Sequence, residues 1–206
     1  MIVLGLTGSI GMGKSTAADM LRRMGVPVHD ADAAVHQLLG PGGRAVKPVA
    51  ALFPEALAGD RIDRKRLGDR VFGDTAALKK LESVLHPLVR RSSQEFLAWA
   101  ARRRAPIVVL DIPLLFESGI EHTVDGVIVV SAPPTVQRQR VMRRPGMTEA
   151  KLRDILARQV PDTIKRRRAT WVVQSGLGRL RTWRQLAHVL RDARKAHISG
   201  IRRGVG

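Results

Sequence analysis

The chain has 206 residues, of which 36 are basic and 18 acidic, for a formal net charge of +18; it has no cysteine, no tyrosine, three Trp and four Phe. Zero cysteines exclude a disulfide scaffold, a zinc-thiolate or iron–sulfur site and a cysteine nucleophile. A hydrophobic content of 44% excludes a wholly disordered basic chain. The length suits one domain, with or without an inserted subdomain. The longest stretch without a charged side chain is residues 1–13, short of the ~20 residues that span a bilayer. Residues 1–4 carry no basic n-region of a signal peptide. A soluble, cytoplasmic protein is expected.

The elements follow from hydrophobic period and breakers. Residues 2–7 form a short apolar run bounded by glycine, a buried-strand pattern. A Gly-rich loop follows, and then a predicted helix over 14–24, with Ala17, Met20, Leu21 and Met24 on one face and Gly25 as its stop. A second strand is expected at 26–29, ending at Asp30-Ala31-Asp32. Residues 33–104 read as helical and free of strands, broken at Gly40-Pro41-Gly42-Gly43 and Phe53-Pro54. Strands are expected at 107–112, 126–130 and 170–174. Helices fill 135–168, with breaks at Pro145-Gly146 and Pro161, and 182–196, where Trp171 and Trp183 nearby read as packing residues. Five short apolar strands separated by helices predict an α/β fold with a parallel sheet covered on both faces.

Gly8-Ser9-Ile10-Gly11-Met12-Gly13-Lys14-Ser15 fits G-x-x-x-x-G-K-[ST] between a strand and a helix. Its glycines let consecutive N–H groups turn inward toward phosphate oxygens, and the helix N-terminus adds positive charge. Lys14 is placed to reach the β- and γ-phosphates of ATP and Ser15 to ligate Mg2+. The glycine order does not match the dinucleotide fingerprint G-x-G-x-x-G.

Asp30 and Asp32 fall at the carboxyl end of the second strand, expected beside the first. Strand-like geometry would point both the same way. One reading makes them cleft carboxylates that orient an acceptor hydroxyl and take its proton; the other makes an Asp here the N-cap of the next helix. Asp111, at the end of the third strand, suits a carboxylate holding magnesium through water, or else simply ends a core strand.

These segments, with Leu85-His86-Pro87, Pro113-Leu114-Leu115-Phe116-Glu117, Arg140-Val141-Met142-Arg143-Arg144, Arg158-Gln159 and residues 169–173, resemble the dephospho-CoA kinase family, in family order over residues 1–190. The resemblance implies a P-loop NTPase fold with a five-stranded parallel sheet. The core would comprise about 1–32, 105–134 and 169–196, with a helical substrate-binding insertion at 33–104, a lid at 135–168 and a basic tail at 197–206. It implies transfer of the ATP γ-phosphoryl to the ribose 3′-hydroxyl of dephospho-CoA. By position, Asp32 matches the proposed general base, and Thr7, Lys14 and Arg140 match phosphate-holding residues. Gly8, Gly11, Met12, Gly13, Ser15 and Thr16 complete the nucleotide loop, and Asp30, His86 and Glu117 fall in substrate-side motifs. The chain departs from the pattern at Thr170 and at Gln174-Ser175, on the adenine side, and at Met12, where Ser is common; little effect of Met12 is expected. Taken alone, His86 reads as structural.

The charge is lopsided: residues 1–134 carry +3 and residues 135–206 carry +15. Arg140 and Arg144, four apart on a predicted helix, are expected on one face toward the nucleotide, and Arg138 and Arg143 toward solvent. Lys165-Arg166-Arg167-Arg168 cannot all face one site and has no assigned partner. Alternative functions are another nucleoside or nucleotide kinase, or a basic P-loop ATPase that binds nucleic acid. The latter lacks the aromatics interleaved with basic residues that stack bases.

Overall fold

The computed structural model describes residues 1–198. The expected basic tail at 197–206 therefore lies outside the described residues beyond 198. In chain order the elements are β1 (Ile2–Thr7), α1 (Lys14–Arg23), β2 (Val28–Asp30), α2 (Ala31–Leu39), α3 (Val46–Leu52), β3 (Leu57–Ala58), β4 (Arg61–Ile62), α4 (Arg64–Val71) and α5 (Thr75–Arg102). They continue with β5 (Ile107–Asp111), β6 (Gly126–Ser131), α6 (Pro134–Met142), α7 (Glu149–Ala157), α8 (Asp162–Arg168), β7 (Trp171–Gln174) and α9 (Arg179–Ile198). Contacts divide the chain into two units: Met1–His29 with the segment from Ala100 onward, and Asp30–Trp99.

The first unit is built on a five-stranded sheet of order β2-β5-β1-β6-β7. β1 pairs in parallel with β5 and β6, and β6 with β7; Leu4 lies opposite Val109 on one side and Gly126 on the other. β5 and β6 are buried along their whole length, which is why they read as unbroken apolar runs. Leu6, Ile128 and Val173 of the strands meet Leu21 of α1 and Leu186 and Leu190 of α9 in one core. One expectation fails here. β2 does not lie beside β1, because the chain leaves the sheet after β2 and returns through α5 to put β5 in the slot between them.

The second unit packs α2 to α5 around Leu38, Val49, Phe53, Ile62, Leu67 and Leu81. Residues 33–104 are not strand-free: β3 and β4 form an antiparallel hairpin, with Leu57 opposite Ile62. Among the described residues no helix is long and apolar enough to cross a membrane.

Candidate active site

β1 delivers the chain into residues 8–13, and α1 starts at once with Lys14. The residue before the helix, Gly13, offers no side-chain cap, and the first turn holds no acid. The helix thus opens toward the loop with its N–H groups unspent on side chains, the arrangement that receives an anion. Gly11 and Gly13 sit at φ 76° and 88°, where a side chain would strain the backbone. Gly8 is constrained by contact instead, since a Cβ there would lie 2.6 Å from the Val130 carbonyl oxygen.

The predicted loop residues fall in two groups. Ser15 and Thr16 are exposed on the first turn of α1. Lys14 extends from the same turn, and its Nζ lies 2.5 Å from Oδ1 of Asp111, a carboxylate only 2% exposed. The structure thus brings together the two groups expected to manage phosphate and metal, Lys14 at the start of α1 and Asp111 at the end of β5. Thr7 is turned inward: it is fully buried and its hydroxyl donates to the Pro113 carbonyl at 2.9 Å.

Met12 does more than its backbone role requires. It is buried, its sulfur accepts the Ala132 N–H at 3.1 Å, and its carbonyl accepts the Ser175 hydroxyl at 2.6 Å. The Met12 side chain thus anchors the loop to the end of β6. Ser175, at a position where the sequence departs from the family pattern, ties the loop to the end of β7. Arg140 joins them, donating to Ser175 Oγ at 2.8 Å, to the Ser175 carbonyl at 2.9 Å and to the Gly11 carbonyl at 3.4 Å. Arg144 does not share its face, because α6 ends at Met142; Arg144 sits exposed in the turn beyond. Arg138 pairs with Glu149 at the surface.

Glu117 also departs from its predicted surroundings. Its Oε1 accepts the Val160 N–H at 2.9 Å and lies 2.8 Å from Nζ of Lys165, a fully buried lysine. Arg168 pairs with Glu121 and stacks over the Phe116 ring at 4.9 Å. Two members of the basic run 165–168 thus fasten to acids, Lys165 buried and Arg168 partly exposed, and the run's charge is not all turned outward. Sequence had no local sign of this, since the acidic partners come from a distant loop.

Asp30 and Asp32 belong to the second unit. The N-cap is Asp30: its carboxylate accepts the Ala33 N–H at 3.0 Å. α2 begins two residues earlier than strand-like geometry for this pair requires, so Asp32 stands in the first helical turn, exposed, and the two carboxylates do not share a strand face. His86 is exposed on α5, before the in-helix Pro87. In the same unit a cavity of about 390 Å³ opens among His36, Pro41, Arg61, Asp63 and Arg64. Among the described residues, no group of three His, Cys, Asp or Glu side chains is arranged to hold a metal ion alone.

A glycine-rich phosphate loop on the central strand of a parallel sheet, with its lysine against a strand-end carboxylate, defines a P-loop nucleotide-binding protein. The model of the dephospho-CoA kinase family matches residues 2–178. Dephospho-CoA kinase of Rhodospirillum rubrum is 56% identical over 203 residues, covering 98% of this chain and 94% of that protein. Its counterpart in Novosphingobium aromaticivorans is 52% identical, covering 96% and 98%. Among solved structures, a Thermus thermophilus protein superposes with a TM-score of 0.80 at 42% identity over 93% of this chain and 97% of its own. Dephospho-CoA kinase from Campylobacter jejuni gives 0.71 at 26% identity, over 95% and 98%. The chain belongs to the dephospho-CoA kinase family.

Proposed function

We propose that this chain transfers the γ-phosphoryl of ATP to the ribose 3′-hydroxyl of dephospho-CoA, giving CoA and ADP, the last step of coenzyme A biosynthesis. The observation that carries this is the preformed phosphate loop, with Lys14 beside Asp111, in a chain that the family model covers from residue 2 to 178.

In the reaction the 3′-oxygen attacks the γ-phosphorus, the bond to the β,γ-bridging oxygen breaks, and ADP leaves with that electron pair. The hydroxyl proton passes to the carboxylate of Asp32. Lys14 turns from Asp111 to the β- and γ-phosphates, and the N–H groups of residues 11 and 13–16 hold the remaining oxygens, so that charge shifting toward ADP meets fixed donors. Arg140, already at the loop through the Gly11 carbonyl, supplies a further positive charge. Mg2+, bound with ATP, would neutralise phosphate charge. The residues fit it as a guest of the nucleotide: Ser15 offers an exposed hydroxyl and Asp111 a carboxylate, and phosphates and water must complete the shell. The lid at 135–168, the substrate part at 33–104, and the substrate-side roles of Asp30, His86 and Glu117 belong to the same proposal. Glu117 acts there through the segment it holds. His36, Arg61 and Arg64 at the second unit's cavity suit an acceptor that carries phosphates. The protein works in the cytoplasm on small molecules.

The test is turnover by the purified protein with MgATP and a panel of acceptors. Dephospho-CoA is expected to be consumed in preference to AMP, adenosine and shikimate. A preference for any of those, or no turnover above background, overturns the proposal.

A further inference from the structure

The apex of the phosphate loop is held in a way the reaction above does not use. The Ile10 N–H donates to Oε1 of Gln159 at 3.2 Å, and the Ile10 carbonyl accepts from Nε2 of Gln137 at 2.8 Å. One peptide residue is thus gripped at both of its polar groups by two glutamines, one on α6 and one just past α7. A backbone N–H and C=O at a loop tip would otherwise turn to water or to each other.

Each glutamine is itself set in place. On α6, Gln137, Arg140 and Val141 lie at i, i+3 and i+4, which puts them on one face. All three address the loop. Gln137 takes the Ile10 carbonyl, Arg140 the Gly11 carbonyl, and a Cβ at Gly11 would lie 2.6 Å from Cγ2 of Val141. Gln137 and Val141 are buried. Gln159 is placed by its neighbour: the Val160 N–H is held by Glu117, whose carboxylate pairs with the buried Lys165 of α8. A line of contacts therefore runs from Lys165 through Glu117 and the 159–160 peptide to the tip of the loop.

We infer that Gln137 and Gln159 are positioning residues that fix the phosphate loop by clasping Ile10, and that Glu117 and Lys165 set the reach of Gln159. The clasp uses the two amides in opposite senses. Position 159 needs an acceptor and position 137 needs a donor. Glutamate keeps the acceptor and removes the donor, so one substitution has opposite consequences at the two positions. A role in filling space would not produce that reversal, and methionine, of similar length, serves as the packing control. The inference rests on the loop's binding a nucleotide and not on which acceptor is phosphorylated.

The experiment is amide hydrogen exchange of residues 8–13 in the nucleotide-free protein, with magnesium ADP affinity measured on the same samples. Gln159→Met and Gln137→Glu are expected to speed exchange at Ile10 about five- to tenfold, the loss of one such bond. Both are also expected to weaken ADP several-fold, while the midpoint of global unfolding moves little. Gln159→Glu is expected to keep exchange at Ile10 within about twofold of wild type. The inference is overturned if Gln159→Glu exchanges as fast as Gln159→Met, if neither Gln159→Met nor Gln137→Glu changes the loop, or if the faster exchange only mirrors a loss of global stability. Wild-type protein that binds ADP and protects Ile10 but does not turn over dephospho-CoA would refute the proposed reaction and leave the clasp standing.

Discussion

The two units spend their charged side chains differently. In the sheet unit the pairs at the phosphate loop and its supports are buried or half-buried, Lys14 with Asp111, Lys165 with Glu117 and Arg168 with Glu121, while Arg22 with Asp19 and Arg138 with Glu149 lie at the surface. In the helical unit Arg44 with Glu95, Arg70 with Glu55 and Asp74, and Arg91 with Glu95 lie on exposed surfaces. Charges removed from water cost more and act more strongly, so they fix geometry; charges in water are screened and tolerate movement. The sheet unit accordingly holds its phosphate loop pre-set, while in the helical unit Asp32 stands on an exposed helical turn.

The contrast can be broken most severely at the chemistry. Asp32→Asn is expected to lower kcat about 10³-fold, the order for loss of a general base, with ADP affinity unchanged. An unchanged kcat removes Asp32 from that role. Lys14→Ala is expected to cost about 10²–10³-fold in kcat/KM and, unlike the first variant, to weaken ADP as well, which steady-state kinetics with a binding titration would separate.

Stability supplies the next comparison. Lys165→Met leaves Glu117 in the interior without its cation and is expected to destabilise the protein by about 3–5 kcal/mol in urea unfolding. The matching cut in the other unit, Arg44→Met, removes a pair in open water and should leave the urea midpoint almost where it was. Equal effects would contradict the division drawn between the units.

The smallest effect is one of pH. In the helical unit Glu95 is lowered from 4.5 to about 2, first by the hydrogen bond from Arg44. Asp63 and Asp74 are also lowered, chiefly by the backbone N–H groups they cap. These groups bind protons less readily folded than unfolded, so their support is complete above the ordinary carboxylate range and is lost as pH falls from about 4.5 toward 2. A slight drop in the thermal midpoint across that window is expected, smaller in high salt because the groups are exposed.

How much of this was legible depends on how local each signal is. The loop and the strands could be read because the glycines, Lys14 and the apolar runs all lie within a few residues of one another. The β3–β4 hairpin could not, since two-residue strands such as Leu57–Ala58 are too short to show alternation. Which aspartate caps the helix was not legible, because either satisfies the local pattern. Gln159 contacts a residue 149 positions away and Ser175 one 163 positions away; nothing beside them in the chain marks the partner. Lys165 had no assignable partner for the same reason. The +18 charge reads differently as a result: part of its basic excess is internal scaffolding for a phosphate site.

The most direct measurement follows the fate of labelled phosphate. With ATP carrying γ-³²P and the purified protein, label should appear in CoA at the ribose 3′-position, and only when dephospho-CoA is present. Label released as inorganic phosphate at the same rate with or without dephospho-CoA would contradict the account.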